Sequence, residues 1–468
     1  MRLSTFALLS IFTFAAVSQA NQYLVKLHDS NPAAAQKFSQ SHSGFLQEVS
    51  REGNVFLWTT GSKVDCARFS DALVESIEPN RPIRMIPNPS IANHRAEILE
   101  ALAKNPLPAD DMAYPDNPPI QAPKPQTAGA DPLLEKAWGI FSTGANKAWE
   151  KTPQGKDIVV AVTDTGVDYN HEDLINNIWH NKGEIPDNNI DDDNNGYIDD
   201  IIGWDFASND NKPYDLSMDM FSVLLEGGNP GHGTHCAGVI GARLNNGFGT
   251  AGVAPQVQIM PLRFLTEKGH GDTAGAIKAI DYAVKNGANI ISASWGGEGE
   301  DESDKVLRDA IQRAKDKGVL FIAAAGNGRE GVGYDNDNDP KPSYPATYPY
   351  ENIISVAAID STGALAKFSN WGNKTVKLGA PGVKILSTVP GNKYQDTVID
   401  LGGIKVTWDG TSMATPFVSG AAAVIWSQNK AQTWEQVRNK LLSTTSKNAA
   451  LAGKTVTEGS LSLHSLVN

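Results

Sequence analysis

From about Asp131 to the C-terminus, continuous apolar runs alternate with stretches of helical period. The runs are "DIVVAVT" (157–163), "VQIMPLRFL" (257–265), "NIISASW" (289–295), "VLFIAAA" (319–325) and "NIISVAAI" (352–359). Short runs without polar alternation predict strands buried on both faces. Between some of them lie "DTAGAIKAIDYAVKNG" (272–287) and "ESDKVLRDAIQRAKDKG" (302–318), each helical in period and each ending in Gly. Two-sided strands joined by helices predict an α/β domain, a parallel sheet with helices on both faces, whose chemistry sits beyond the carboxyl ends of the strands.

The pattern upstream is different. "QYLVKLH" (22–28) and "NVFLWTT" (54–60) alternate as half-buried strands, with helix-compatible "NPAAAQKFSQS" (31–41) between them. A second helical stretch is expected around "DCARFSDALV" (65–74), leading into "VESIEPNRPIRM" (74–85). That order predicts a small α+β module of the split-βαβ, ferredoxin-like kind. Asn105 to Pro132 is rich in Pro, Asp and Ala, so it should stay extended and open to proteases. The expected organisation is a leader over 1–20, the small module over 21–88, a Pro-rich linker with the cleavage region over 89–130, and the large domain over 131–468.

Composition narrows the functional class. The chain has 468 residues, 20% charged and 40% hydrophobic, with a formal net charge of −13. That acidic balance disfavours a nucleic-acid surface, which needs clustered Lys and Arg, and it suits cation binding. Met1-Arg2, the apolar run "STFALLSIFTFAAV" and then "SQA" read as a secretory signal cut after about Ala20, so export to the periplasm or medium is expected. No Cys sits at the cut and no later stretch is apolar enough to span a membrane, so no anchor is expected. The only cysteines, Cys66 and Cys236, flank the expected cut and cannot serve as an internal staple after it.

The polar residues that follow the apolar runs suit acyl transfer. Asp164 follows "DIVVAVT", Asn327 sits between glycines after "VLFIAAA", and Ser412 opens the apolar helix "WDGTSMATPFVSGAAAVIW" (408–426). A serine hydroxyl becomes a nucleophile when an imidazole takes its proton, and the imidazole needs a carboxylate to fix its tautomer. Asp164, His232 and Ser412 supply those roles. The Asn327 amide and the Ser412 backbone N–H could hold the oxyanion of the tetrahedral intermediate.

The blocks "VAVTDTGVD", "GHGTHCAG", "SASWGG", "AAAGNG" and "GTSMATPFVSG", in the order Asp…His…Ser, resemble the signature blocks of the subtilisin-like serine proteases, the subtilases of peptidase family S8. The resemblance covers about Asp131 to Asn468, and "YLVKLH…SIEPN" is similar to the inhibitor prodomain of that family. It implies an exported endopeptidase acting on proteins, autoprocessed from a zymogen whose own prodomain inhibits it, and acting as a monomer. Asp164, His232 and Ser412 match the triad and Asn327 the oxyanion amide. Ser294-Trp295-Gly296 and Ala324-Ala325-Gly326 match the walls of the primary specificity pocket, and Gly269, His270 and Gly271 match the edge that pairs with extended substrate. Trp295 stands where smaller aliphatic residues are common, which would reshape the pocket and suit a protease dedicated to one target.

"NPGHGTHCAGVIGA" (229–242) admits other readings. A zinc site on His232 and His235 would want a third ligand and spacing such as H-E-x-x-H. Cys236 lies four residues after His232, on the same helical face, either as a thiol under the imidazole or as a small buried apolar residue. A second loaded stretch, "PDNNIDDDNNGYIDDIIGWDF" (186–206), sets Asp191, Asp193, Asn195 and Asp199 at positions 1, 3, 5 and 9 of an EF-hand-like loop with Gly196 at 6. The expected ligand is structural Ca²⁺, although Ile202 stands where a bidentate Glu would complete such a loop; similar insertions bind calcium in the family it resembles. "YDNDNDPKPSYPA" (334–346), with Asp335, Asp337 and Asp339, is a weaker candidate. The insert at 212–228 carries no assignment.

Overall fold

The structure, a computed structural model, describes residues 21–104, 117–123, 128–299 and 304–466. The expected leader and much of the Pro-rich linker lie outside the described residues. The chain divides into two compact units, Met1–Asn80 and Arg81–Asn468.

The first unit holds β1 (Asn21–Leu27), α1 (Pro32–Ser41), β2 (Phe45–Ser50), β3 (Val55–Thr60) and β4 (Val74–Pro79). Its sheet runs in the order β2-β3-β1-β4, antiparallel throughout. Tyr23, Val25 and Leu27 alternate onto one face of β1 and meet Ala34, Phe38 and Trp58 in the core. Asn31 caps α1, accepting from the Ala33 N–H, and Pro32 supplies the preset φ of the first turn. The helix expected over 65–74 is absent; that stretch is turns and bends. There the Asp65 and Asp71 carboxylates accept from the N–H groups of Ala67 (3.2 Å) and Leu73 (2.7 Å). Such local bonds compete with a helix. The strand order is still that of a split βαβ unit.

The second unit opens with β5 (Pro82–Met85), α2 (Pro89–Asn93) and α3 (Arg95–Lys104). The two helices lie at the start of the expected linker over 89–130, ahead of the stretch expected to stay extended. Asn88 caps α2 and Pro89 starts it, while Ile98 of α3 is fully buried. Then come β6 (Val159–Asp164), β7 (Trp204–Asp205), α4 (Met220–Glu226), α5 (His232–Gly241), β8 (Gln258–Arg263), β9 (His270–Asp272), α6 (Thr273–Lys285), β10 (Ile290–Ala293) and β11 (Trp295–Glu298). They are followed by α7 (Lys305–Asp316), β12 (Leu320–Ala324), β13 (Ser343–Tyr344), β14 (Ile353–Ile359), β15 (Val376–Pro381), β16 (Thr397–Asp400), β17 (Lys405–Thr407), α8 (Thr411–Gln428) and α9 (Trp434–Ser443).

All five predicted runs carry strands of one large sheet, in which β15-β14-β12-β10-β6-β8-β7 are mutually parallel. Strand order turns back at β6, with β8 and β7 on one side and β10 onward on the other. That is the crevice position of a doubly wound sheet. Every residue of α8 from Thr411 to Ser427 is buried, so it is a core helix crossed by the sheet on one side and α5 on another. Among the described residues, no helix is long and apolar enough to cross a membrane.

Candidate active site

Three elements deliver the three candidate residues. Asp164 ends β6, His232 is the first residue of α5, and Ser412 is the second of α8. The Asp164 Oδ1 accepts from His232 Nδ1 at 2.7 Å, and both side chains are almost fully buried. A carboxylate acceptor requires Nδ1 to carry the proton, so Nε2 is left as the acceptor. Nε2 is buried without a hydrogen-bond partner. Ser412 Oγ donates to the Ser294 carbonyl at 3.1 Å. The Ser412–His232 bond is therefore not formed here, but both residues line one cavity. Catalytic hydrogen bonds often tighten only with substrate in place.

Close approach of backbones holds these elements together. A Cβ on Gly233 would lie 2.0 Å from the Gly166 carbonyl oxygen, so only glycine lets α5 seat beside the Asp164 loop. In α8, Pro416 lacks the N–H that would bond the Ser412 carbonyl four residues earlier. That carbonyl is taken instead by Ser294 Oγ at 2.9 Å and Cys236 Sγ at 3.5 Å. A proline in the helix thus frees the Ser412 carbonyl to be tied to β10's exit and to α5.

Asn327 follows β12 through Ala325 and Gly326. Its Oδ1 accepts from the Thr411 N–H (2.8 Å) and the Thr411 hydroxyl (2.9 Å), which turns Nδ2 toward the cleft. There Nδ2 donates to the carbonyl of Pro87 at 2.9 Å.

That contact belongs to a longer one. β5 lies between β9 and β11 and runs antiparallel to both, pairing Ile83 with Gly271, Arg84 with His270 and Gly296, and Met85 with Trp295. The Met85 N–H donates to the Gly269 carbonyl at 2.9 Å. Beyond the strand, Asn88 Nδ2 donates to the Thr407 carbonyl at 2.9 Å, so β17 holds the far side. The cleft thus binds an extended chain through main-chain groups on two edges.

A cavity of about 290 Å³ beside this strand is bounded by Gly296, Gly326, Gly328, Tyr334, Ser343 and Asn370. Trp295 does not shape it. Its indole is buried, donates Nε1 to Thr163 Oγ1 at 3.0 Å and packs edge-on to Phe264 and Phe321. Only the Trp295 backbone faces the cleft, because side chains alternate along a strand and this one falls on the core side. Ala324 and Ala325 are likewise buried, and Gly326 forms the wall. Tyr334, Ser343 and Asn370 carried no signal in the sequence reading. A second cavity of about 280 Å³ is lined by Val223 and Leu224 of the insert, Gly269, Trp408 and Met413, which gives α4 a place at the cleft.

The two neighbours of His232 are not its chemical rivals. His235 Nε2 pairs with the Ile385 carbonyl at 2.9 Å, its ring stacks on Trp408 at 4.1 Å, and burial pulls its pKa down to about 3. It stays neutral at neutral pH. Asp164, His232 and Cys236 could together offer three ligand atoms. Burial holds the Cys236 thiol well above its ordinary pKa, and a protonated thiol is a poor nucleophile.

In the acidic loop the carboxylates that converge are Glu184, Asp193 and Asp200. Of the four residues expected there, only Asp193 is among them. Asp191 accepts from the N–H groups of Asn195 (2.9 Å) and Gly196 (2.8 Å), and Asp199 from those of Asn188 (3.2 Å) and Asn189 (2.9 Å). Asn195 donates Nδ2 to Asp193 (3.2 Å) and Asp200 (2.9 Å). Asp191 and Asp199 thus shape the loop's own backbone, while Asn195 braces the carboxylates of Asp193 and Asp200. Glu184, outside the EF-hand pattern, could be found only from the fold.

A parallel sheet with Asp, His, Ser and an orienting amide gathered at its carboxyl ends defines a serine-triad α/β protein. The chain belongs to the subtilase family, which it matches over residues 155–460. It is 35% identical over 312 residues to the thermophilic serine proteinase of Bacillus sp. (strain AK1), covering 66% of this chain and 63% of that one. It is 33% identical over 301 residues to thermitase of Thermoactinomyces vulgaris, covering 64% and 86%. With subtilisin-like protease 2 of Plasmodium falciparum it shares 34% over 299 residues, 62% of this chain and 19% of that protein.

Proposed function

We propose that this protein is an exported serine endopeptidase that cuts protein chains through an acyl-enzyme formed on Ser412. The observation that carries the reading is the junction of the Asp164–His232 pair with an extended segment whose Pro87 carbonyl is held by Asn327. His232 Nε2 takes the Ser412 proton as Oγ attacks, Asp164 holds the resulting imidazolium, and Asn327 stabilises the oxyanion. Main-chain pairing on β9 and β11 favours broad cutting of unfolded chains. The burial of Trp295 removes one reason to expect a single target.

The same segment supports synthesis as an autoprocessed zymogen, since a stretch from before the family domain fills the cleft. The N-terminal apolar run supports export. The test is direct. The matured protein is expected to digest casein and to be labelled by a fluorophosphonate at Ser412, in the native but not the unfolded state. Labelling of unfolded protein alone, with no digestion, would leave a binding protein on this fold.

Subtilases commonly bind structural calcium, and the donor set here fits it. Glu184, Asp193 and Asp200 offer hard oxygen ligands from two segments of one loop. Ca²⁺ bound there would tie the loop to α6, whose Tyr282 hydroxyl and Lys285 ammonium already reach Asp200 and the Asn195 carbonyl. A chelator is expected to lower Tm by roughly 3–4 °C, the shift for about 2.7 kcal/mol of ligand stabilisation at about 2.1 cal/mol/K of unfolding entropy per residue in a domain this large. Asp193→Asn should lower Tm in calcium and abolish the chelator's effect. Equal melting with and without chelator would end the calcium reading.

A further inference from the structure

Helix α5 starts at His232 with Gly231 at its N-cap, so the helix has no capping side chain of its own. A helix start leaves its first N–H groups unpaired and carries partial positive charge. Here three side chains from elsewhere take them in turn. The His232 N–H donates to Asn229 Oδ1 (2.8 Å), that of Gly233 to Thr165 Oγ1 (3.0 Å) and that of Thr234 to Asp215 Oδ2 (2.8 Å).

Asp215 is the knot of this set. Its side chain belongs to the insert and is fully buried. Oδ2 also accepts from the Thr234 hydroxyl (2.6 Å), while Oδ1 accepts from the Thr165 hydroxyl (2.8 Å) and from Asn229 Nδ2 (2.6 Å). Thr165 adjoins Asp164 and donates its own N–H to Asp164 Oδ1 at 2.7 Å, the oxygen that His232 uses. One carboxylate with four donors therefore fastens the loop bearing the triad acid to the helix start bearing the imidazole. Burial lifts its pKa to about 6 against the pull of those donors, so at neutral pH the ionised form that accepts all four is the one present.

We propose that Asp215 is a positioning residue that fixes Asp164 and His232 relative to each other without touching substrate. The inference rests on the serine-peptidase reading. In Asp215→Asn the amide must turn its NH₂ toward the Thr165 and Asn229 donors or toward those of Thr234, so two donors lose their acceptor.

The experiment measures kcat and KM of the matured enzyme per titrated active-site serine, together with the far-downfield NMR signal of the His232 Nδ1 proton. For Asp215→Asn, kcat should fall about 10–100-fold with KM changed by less than about 3-fold, the scale of a small misplacement of catalytic groups. The Nδ1 proton signal should move or broaden. Thr234→Val, which removes one donor to the carboxylate together with the acceptor of the Asp168 N–H, serves where Asp215→Asn does not fold, and should cost kcat about 10-fold. A lower Tm with kcat and the proton signal unchanged would make Asp215 a stabilising residue only and overturn the proposal. An inactive wild type would instead sink the peptidase reading on which it rests.

Discussion

Replacing Ser412 by Ala is expected to abolish both casein digestion and maturation. The mutant should accumulate as proprotein, whereas the wild type loses its N-terminal residues up to a point within 80–132. The loss in kcat should be about 10⁶-fold, or roughly 8 kcal/mol of barrier. The physical reason lies in what remains. With Oγ gone, Asn327 still binds a carbonyl and His232 still accepts a proton through Nε2, but no atom is placed to attack. Residual hydrolysis would have to come from water in the cleft. Folding should be little affected, because the Ser412 carbonyl keeps its bonds from Ser294 and Cys236, and only the hydroxyl's bond to the Ser294 carbonyl is lost. Intact mass over time and a casein assay read both effects. A mutant that matured and digested casein like the wild type would refute the triad.

The large sheet was legible because its strands are buried on both faces and read as unbroken apolar runs, as at Leu320–Ala324 and Ile353–Ile359. Site residues could be picked out because this fold places them at the ends of such runs. What escaped was set by contacts between distant parts of the chain. The direction of Trp295 depends on strand register, which composition does not encode. Asp215 meets Thr165 across 50 residues and Thr234 across 19, so its role is invisible in any local window. The linker assignment over 89–130 passed over two short helices, although Asn88 and Pro89 form an N-cap and first-turn signal. At 191–199, Asp191 and Asp199 bond the loop's own backbone, as turn-forming Asp and Asn residues do, and Glu184 and Asp200 meet Asp193 only through the fold.

The oxyanion assignment yields the sharpest division between catalysis and stability. Asn327 has two contacts on two atoms: Oδ1 accepts from Thr411 at the start of α8, and Nδ2 donates to the Pro87 carbonyl in the cleft. Asn327→Ala removes both. Its kcat should fall about 10²–10³-fold, the usual consequence of losing one preorganised donor, or roughly 3–4 kcal/mol. KM should change little, because the donor matters most once charge has developed on the oxygen. The same variant strips a cap from α8 and should lose about 1 kcal/mol of stability. Asn327→Asp separates the two contacts. Its carboxylate can still accept from Thr411 but has no N–H for the oxyanion, and its charge would repel it. That variant should therefore keep more of its thermal stability than Asn327→Ala, yet lose at least as much kcat. Melting curves and steady-state kinetics on the matured enzymes decide it. If Asn327→Asp retained kcat within about threefold, the Pro87 carbonyl would be a packing contact and the oxyanion would have to be held elsewhere.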